Sequence, residues 1–361
     1  MDSFFETLLN QFDNKLPFVS YRNPNEIIVK SILQSDSKIH HVNDYSESGF
    51  VFAPFDNQNK SILIPFENYS EFIFENLQSL SLTSDIYDNF DNKSKENHIG
   101  LVEKGITAIN SSSLSKIVLS RKEQYNTSEN PITLFIRALS LYKNAFVYLW
   151  YHPKVGCWLG ATPEVLLQTR NNQFKTMSLA GTKMFEDELQ WESKEKEEQK
   201  IVTDYIVNNL NDNKYKFTTG IPYTLKAGGL AHIRTDINGV LNSSLKSLID
   251  ILHPTPAVCG FPKEKAKQFI TENEGYDREY YTGFLGELNI SSRRKNNKRN
   301  TENLAYRFTT KSSNLYVNLR CMKIDNFKIC IYVGGGVTKN SIPHDEFQET
   351  CNKLNTMKKL F

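Results

Sequence analysis

Two acidic segments place carboxylates at a spacing that could bind a metal ion. In WESKEKEEQKIVTDYIVNNL, Glu195 and Glu198 are three residues apart, and Glu346 and Glu349 repeat this spacing in PHDEFQETCNKL. On a helix, such side chains lie one above the other on the same face. If the two pairs face each other, their carboxylates cannot all stay ionised without a cation, and oxygen ligands suit Mg2+. The spacing alone also fits two solvated helix faces, which are common.

Four further stretches contain groups that could bind an anion or donate a proton. Glu164 follows a proline and precedes an apolar run in GATPEVLL, so it could enter a semi-apolar cleft, where the pKa of a carboxyl is raised. The glycines of SLAGTK (178–183) and YVGGGV (332–337) offer backbone N–H groups that no side chain shields. Arg320 and Lys353 could pair with the same anion. Taken singly, the glycines could equally form turns and Arg320 could face solvent.

Composition indicates a globular enzyme-sized protein. The 361 residues are 39% hydrophobic and 12% aromatic, enough for one large domain or two ordinary ones. With 43 basic and 41 acidic residues, the chain shows no charge pattern typical of proteins that bind nucleic acid or anionic membranes. No apolar run approaches the roughly 18 residues of a membrane span, and the N-terminus lacks the basic region of a signal peptide. Five cysteines without metal or disulfide spacing favour a reducing compartment. We therefore expect a cytoplasmic protein.

Strand-like segments dominate the chain, with helices scattered between them. SKIVLSRKEQY predicts a buried strand whose first inward group is Lys116, although a lysine at a strand end has ordinary structural explanations as well. Residues 314–323 predict one strand, residues 99–109 a helix, and residues 83–97 an exposed connection. The basic segment within 290–303 is typical of a solvated hairpin loop. This pattern predicts an α+β fold with a large mixed or antiparallel sheet system, in one compact domain spanning 1–361.

Eight segments, in this order, resemble the chorismate-utilising enzymes. They are SKIVLSR, WLGATPEVLL, SLAGTK, KEKEEQKIVTDYI, HIRTDINGVL, LHPTPAVCGFP, YYTGFLGEL and YVGGGV with EFQETCNKL. The segments are most similar to the isochorismate synthases of that family. The resemblance covers a catalytic core of residues 95–361, whereas residues 1–90 match only loosely, as an N-terminal scaffold. It implies a single α+β domain in which two large antiparallel sheets pack on each other with helices outside.

The resemblance also implies an isomerase reaction on chorismate. In the family, the lysine of KIVLSR, here Lys116, activates a water for attack at ring C2. The glutamate of ATPE, here Glu164, protonates the departing C4 hydroxyl. Aminodeoxychorismate synthases that attack covalently carry a lysine where this chain has Ala180, so Ala180 together with Lys116 favours water as the nucleophile. A lysine can act as a base only where its ammonium form is destabilised.

Metal and substrate ligands follow from the same resemblance. Mg2+ would be held by Glu198 and Glu349, with Glu195 and Glu346 in the surrounding carboxylate shell. The residues expected to bind the two carboxylates of chorismate are Gly181, Thr182, Arg320, Tyr332, Gly334, Gly336 and Lys353. Departures are small, since Glu195 stands where many relatives have Asp, and GGG replaces the commoner GAG. His232 and His253 lie in family segments and are expected to be structural.

Other interpretations remain open from the sequence. A salicylate synthase would use the same lysine and glutamate and then eliminate pyruvate from isochorismate. A catalytically inactive relative that serves as a binding subunit is a more distant alternative. The sequence does not distinguish a product destined for menaquinone from one destined for a siderophore. We expect a monomer that binds neither nucleic acid nor membrane.

Overall fold

The computed structural model describes residues 3–75, 92–227, 229–293 and 309–361. The predicted connection at 83–97 and the basic segment at 290–303 therefore lie partly outside the described residues. Within these ranges, none of the helices is both long and apolar enough to cross a membrane. The helices are α1 (Ser3–Asp13), α2 (Asn92–Ser111), α3 (Pro131–Leu141), α4 (Ser193–Asp212), α5 (Leu245–Leu252), α6 (Lys263–Asn273) and α7 (Pro343–Lys358).

The strands form two large sheets in which every described pairing is antiparallel. In chain order they are β1 (Phe18–Arg22), β2 (Ile28–Leu33), β3 (His40–His41), β4 (Gly49–Ala53), β5 (Ile62–Pro65), β6 (Tyr69–Ile73), β7 (Lys116–Asn126), β8 (Phe146–His152), β9 (Gly156–Thr162), β10 (Val165–Arg170), β11 (Gln173–Met184), β12 (Lys216–Thr219), β13 (Tyr223–Ala227), β14 (Leu230–Val240), β15 (Gly260–Phe261), β16 (Phe284–Arg293), β17 (Thr309–Val317), β18 (Cys321–Asp325) and β19 (Lys328–Val337). Nine strands have the order β15-β7-β19-β18-β9-β8-β1-β2-β6. The ten-stranded sheet has the order β12-β14-β11-β10-β17-β16-β4-β5-β3, and β13 pairs with β14.

The two sheets pack face to face through an aromatic layer. Phe146 of the nine-stranded sheet stacks on Tyr316 of the ten-stranded sheet with ring centroids 4.1 Å apart, and Phe52 lies 4.6 Å from Trp150. Separate apolar clusters attach α1, α3 and α7 to the nine-stranded sheet, and α4 and α5 to the ten-stranded sheet. Apolar burial on both faces of each sheet therefore places the helices outside. The predicted α+β architecture of two packed antiparallel sheets is confirmed.

The prediction of one strand over residues 314–323 was wrong. β17 ends at Val317 in the ten-stranded sheet, and β18 begins at Cys321 in the nine-stranded sheet. The apolar pattern runs through the crossing because residues on both sides are buried, so it does not reveal the break. Arg320 lies in the crossing with φ of 47°, not within a strand. The crossing delivers its side chain to the gap between the sheets.

The helix predicted at 99–109 begins earlier than expected, at Asn92. Residues 92–97, predicted as part of a connection, form its first turns, where the side chains are polar. Helical apolar periodicity begins only at His98, which is buried together with Val102 and Ile109. The short strands β3, β6, β12, β13 and β15 were not predicted, because two to five residues, several of them exposed, give too little periodicity to detect.

Candidate active site

A cavity lies where β7, β11 and β19 meet the first turns of α4 and the middle of α7. Most of the residues predicted to bind substrate or metal line it, although they come from segments far apart in the chain. The predicted residues that line this cavity are Glu164, Gly181, Thr182, Glu198, Arg320, Tyr332, Gly334, Gly336 and Lys353. Lys116 is not among the lining residues, but it contacts Glu198, which lines the cavity.

Lys116 begins β7 and has no exposed surface. Its Nζ lies 2.9 Å from Oε1 of Glu198 on α4. Gly336 of β19 packs against both groups, since a Cβ added there would lie 2.3 Å from Glu198 Oε1 and 2.9 Å from Lys116 Cε. A residue with a side chain at position 336 would therefore separate this pair. Because residue 336 is glycine, Lys116 and Glu198 can lie side by side next to β19.

Glu164 lies between β9 and β10 and is 5% exposed. Its backbone is fixed on both sides, because its N–H donates to Thr162 Oγ1 at 3.2 Å and its carbonyl accepts from Val317 N at 3.0 Å. Burial raises the pKa of the Glu164 carboxyl to about 8, although the positive charges of Lys116, Lys353 and Arg320 lower it in part. At neutral pH this side chain is therefore mostly protonated, the state that a general acid requires.

Glu198 is ionised although it faces the same cavity. Burial would raise the pKa of its carboxyl, but Lys116, followed by Lys353 and Lys194, outweighs burial and holds that pKa below its ordinary value. Two glutamates beside one cavity therefore differ in charge at neutral pH.

Arg320 is oriented by His232, a residue predicted to be structural. The Arg320 Nη2 lies 3.3 Å from His232 Nε2, and because a guanidinium has only donors, Nε2 must accept. His232 Nδ1 then carries the proton and donates to the carbonyl of Gly181 at 3.1 Å. Burial and the Arg320 charge lower the pKa of His232 to about 3, which keeps the ring neutral. His232 therefore links the arginine to the turn at Gly181.

His253 contacts Pro54 O at 3.3 Å and packs on Phe284 away from the cavity.

The remaining predicted substrate ligands lie on β19 and α7. Lys353 Nζ donates to Gly334 O at 2.8 Å, which ties α7 to the glycine-rich end of β19. The Tyr332 ring stacks between Trp158 and Tyr281, at 5.5 Å from each, and its hydroxyl donates to Glu279 at 3.4 Å. Tyr332 therefore presents its ring to the cavity, while its hydroxyl is already bonded.

Tyr281 lines the cavity and was not singled out from the sequence. Its hydroxyl lies near Gly334, because a Cβ added at Gly334 would be 3.0 Å from that oxygen. Burial raises the pKa of Tyr281, so the hydroxyl stays protonated and can donate to a bound anion. Its place in YYTGFLGEL, one of the segments that resemble the family, was the available signal.

Glu198, Glu346 and Glu349, which we call the glutamate cluster, converge on the GGG segment. A Cβ added at Gly335 would lie 3.5 Å from Glu346 Oε2 and 3.6 Å from Glu349 Oε1. Glu346 is 1% exposed, and its Oε2 has no hydrogen-bond partner in the described residues. Burial, and then the charge of Glu349, raise the pKa of Glu346. An ion-binding role would account for this costly arrangement.

Glu195, the fourth predicted acid, is placed differently. Its Oε2 accepts from the backbone N–H of Glu192 at 3.2 Å in a capping box at the start of α4, and lies 3.9 Å from Lys183 Nζ. Its Cβ packs on Gly181, whose φ of 71° and close approach both require glycine. Glu195 therefore shapes the SLAGT turn and caps its helix in this arrangement.

The donor set of the glutamate cluster fits a hard cation in its chemistry, because every donor is a carboxylate oxygen. In the described ranges, no group of three or more His, Cys, Asp or Glu side chains is close enough to hold a metal. Each member of the glutamate cluster is instead paired with a lysine. The pairs are Glu198 with Lys116, Glu346 with Lys194, and Glu349 with Lys353. The unpartnered Glu346 Oε2 and the oxygen-only donors suit Mg2+.

Sequence comparison assigns the chain to a family. A family model described as chorismate binding enzyme matches residues 55–294, more than half of the chain, and another of the same description matches residues 304–359. The chain belongs to the chorismate binding enzymes. The match begins well before residue 95, so part of the N-terminal region also carries the family pattern.

Curated relatives of this chorismate binding enzyme share modest identity with it. The vibriobactin-specific isochorismate synthase of Vibrio cholerae is 24% identical, over 96% of this chain and 85% of that protein. The isochorismate synthase DhbC of Bacillus subtilis is 29% identical, over 71% of this chain and 65% of that protein. The isochorismate synthase MenF of Escherichia coli is 27% identical, over 70% of this chain and 57% of that protein.

Solved structures share the fold. DhbC from Bacillus anthracis superposes with a TM-score of 0.77 at 22% identity, covering 99% of each chain. Anthranilate synthase component I from Streptococcus pneumoniae superposes with a TM-score of 0.66 at 17% identity, covering 94% of this chain and 92% of that one. The fold of two packed sheets is therefore shared with solved proteins that carry different names.

Proposed function

We propose that this chorismate binding enzyme is an isochorismate synthase, an isomerase that converts chorismate into isochorismate. The observation that carries the proposal is the pairing of Lys116 with a protonated Glu164 beside one cavity. Lys116 is close enough for its charge to lower the pKa of Glu164, yet burial still holds that pKa at about 8. The relatives named as isochorismate synthases support the same activity.

The two side chains would act on opposite sides of the substrate ring. Lys116, as the neutral amine, takes a proton from a water while the water oxygen bonds to C2. The ring double bond shifts, the C4–O bond breaks, and Glu164 gives its proton to the departing hydroxyl. One water is consumed and one is released, so the reaction is an isomerisation. Base and acid catalysis each contribute roughly 10²- to 10⁴-fold.

Substrate binding would use the groups that surround this pair. Arg320, held by His232, and the Tyr281 hydroxyl can pair with a carboxylate, and the backbone of the SLAGT turn offers further donors. Lys353 lies on α7, three residues before Thr356, whose hydroxyl accepts from Arg320, and its ammonium contacts Gly334 O and Glu349. These cationic groups suit a substrate with two carboxylates.

We propose Mg2+ as the cofactor, with Glu198, Glu346 and Glu349 as the residues that would hold it and Glu195 outside them. A bound Mg2+ would supply positive charge for a substrate carboxylate. The orphaned oxygen of Glu346 and the charge repulsion between Glu346 and Glu349 support this assignment.

The direct test incubates the purified protein with chorismate and MgCl2 and separates the products by chromatography. Isochorismate without pyruvate is the expected result. Abundant pyruvate with salicylate would identify a salicylate synthase instead. No conversion by a folded protein that still binds chorismate would identify a binding subunit.

Two biosynthetic pathways are candidates to use the isochorismate. One relative is named for vibriobactin, and another solved relative is named a menaquinone-specific isochorismate synthase. We propose that the product enters a siderophore or a menaquinone route. The reaction at the site is the same in both cases.

A further inference from the structure

The two ends of α4 are attached to the protein in different ways. From Val202 onwards, buried apolar side chains fix the helix to the ten-stranded sheet. The turns before Val202, which carry Glu198, include no buried apolar side chain, and their buried residues are Glu195 and Gln199. Polar contacts therefore hold the part of α4 that enters the candidate active site.

Gln199 lies over a group of hydroxyls between α4 and the ten-stranded sheet. Its side-chain Nε2 is 3.1 Å from Ser178 Oγ, 2.8 Å from Thr203 Oγ1 and 2.8 Å from Thr235 Oγ1. Ser178 of β11 and Thr235 of β14 are directly paired in the sheet, and Ser178 Oγ is 2.7 Å from Thr203 Oγ1. We call Ser178, Gln199, Thr203 and Thr235 the hydroxyl cluster. Gln199, Ser178 and Thr235 are all buried.

The hydroxyl cluster fixes α4 more strictly than apolar contacts would. A hydrogen bond weakens steeply when its distance or angle departs from the optimum, whereas apolar side chains of similar volume repack at small cost. A buried amide without partners would also lose the free energy of its hydration. Because Gln199 reaches hydroxyls on two neighbouring strands, its hydrogen bonds define both the rotation of α4 and its position along the sheet.

Glu198 depends on that rotation because its surroundings leave it little room. A Cβ added at Gly336 would lie 2.3 Å from Glu198 Oε1, and Lys116 Nζ is 2.9 Å from the same oxygen. Consecutive helical side chains point about 100° apart. With Gln199 directed at β11 and β14, the preceding side chain is therefore directed at Lys116.

We propose that Gln199 is a positioning residue that aligns Glu198 with Lys116. Gln199 is not among the residues that line the cavity, so it acts on the reaction through Glu198. Its effect on turnover rests on the proposed function, whereas its effect on the ion pair between Lys116 and Glu198 does not.

A double-mutant cycle tests this role. Gln199→Met keeps the length of the side chain and loses the amide, and it is combined with Glu198→Gln, which removes the charge that pairs with Lys116. Val202→Ala is combined with Glu198→Gln in a matched control cycle, because it loosens the apolar packing of the same helix without removing a group of the hydroxyl cluster. For every protein, kcat/KM for chorismate and the free energy of unfolding in denaturant are measured.

We expect Gln199→Met to lower kcat/KM roughly tenfold in the wild-type background and less than about twofold in Glu198→Gln, as for residues coupled through one network. Gln199→Met should also destabilise the wild type more than it destabilises Glu198→Gln, because part of the loss is that of the ion pair with Lys116. Val202→Ala should have the same effect in both backgrounds.

Equal fold losses of kcat/KM in both backgrounds, or an unchanged kcat/KM in Gln199→Met, would overturn the inference. If the wild type converts no chorismate, the proposed function fails, and the coupling in the free energy of unfolding then decides the inference. If Gln199→Met does not fold, Thr235→Val takes its place in the cycle, because it removes one hydroxyl of the cluster and keeps a similar shape. Thr235→Ser, which retains the hydroxyl, should then recover most of the lost kcat/KM.

Discussion

Glu164 and Glu198 line the same cavity, but the first is neutral and the second is negatively charged at neutral pH. Burial is the largest influence on both carboxyls and favours the protonated form of each. Glu198 has the Lys116 ammonium at 2.9 Å and stays ionised, whereas Glu164 has only more distant charges and keeps its proton to about pH 8. The position of one lysine, and not the depth of burial, therefore separates a candidate general acid from a candidate metal ligand.

The elements that carry the two glutamates reinforce the difference. Glu164 lies between two strands with its backbone bonded on both sides, so it cannot approach a cation by a small movement. Glu198 lies on a helix beside a glycine that leaves room for Lys116. The position between strands suits proton donation, and the position beside Lys116 suits a carboxylate that stays ionised.

The largest expected effect comes from Lys116→Met, which removes the charge that separates the two glutamates. Turnover of chorismate should fall roughly 10²- to 10⁴-fold, because the base is lost. The pKa of Glu198 should rise, because burial is then less opposed. Steady-state kinetics measures the loss, and Lys122→Met, an exposed lysine on the same strand, serves as the control. Wild-type kcat in Lys116→Met would remove the proposed mechanism.

Glu164→Gln should lower kcat to a similar or smaller extent, roughly 10²- to 10³-fold, because an amide cannot supply the acid proton. The wild-type rate should fall as pH rises above about 8, where Glu164 ionises. This alkaline limb of the pH–rate profile should be missing from the residual rate of the variant. Glu264→Gln, an exposed glutamate on α6, is the control. An unchanged alkaline limb in Glu164→Gln would assign that limb to another group.

Glu349→Gln should raise the Mg2+ concentration needed for half-maximal activity by roughly tenfold or more, since one carboxylate ligand is lost from a hard-ion site. Titration of activity with MgCl2, checked by chorismate binding at saturating metal, measures the shift. Glu272→Gln, on the surface of α6, should not change the requirement. A wild type that is fully active in a chelator would contradict the role given to the cluster.

His232→Leu should raise KM for chorismate about tenfold, since the variant loses the acceptor that orients Arg320 and the donor that bonds Gly181 O. His232→Gln, which keeps an amide donor and acceptor, should recover part of the loss. Because the ring is neutral down to about pH 3, neither variant should alter the pH profile between 5 and 8. A lost pH limb in His232→Leu would show that the histidine itself exchanges a proton.

A further effect is on the pH dependence of stability. The folded protein keeps the Glu164 proton to about pH 8, whereas an unfolded chain releases it near the ordinary value of 4.5. The unfolded state binds fewer protons in this window, so the Glu164 contribution to stability falls as pH rises through it, by on the order of 5 kcal/mol. Denaturant unfolding at pH 5 and pH 8.5 should show that Glu164→Gln gains stability over the wild type only at the higher pH. A constant difference would contradict the raised pKa.

The sequence predicted the sheets and the identities of many cavity residues, but not how they contact each other. A continuous buried run locates the start of β7, and alternation of apolar and polar residues locates the start of β19. The position of Arg320 was misread, because apolar alternation continues across the crossing between sheets. The roles of Gln199, His232 and Tyr281 depend on contacts between segments far apart in the chain, which periodicity cannot show. Glu195 shows the same limit, since its spacing to Glu198 does not reveal that it caps its own helix.

The proposed chemistry is tested most directly by running the reaction on chorismate in H2¹⁸O with MgCl2 and locating the label in the product by mass spectrometry and NMR. Attack of water at C2, assisted by Lys116 and Glu164, predicts isochorismate that carries one ¹⁸O in the C2 hydroxyl. Isochorismate that keeps the original unlabelled oxygen, or a product without a C2 hydroxyl, would contradict it.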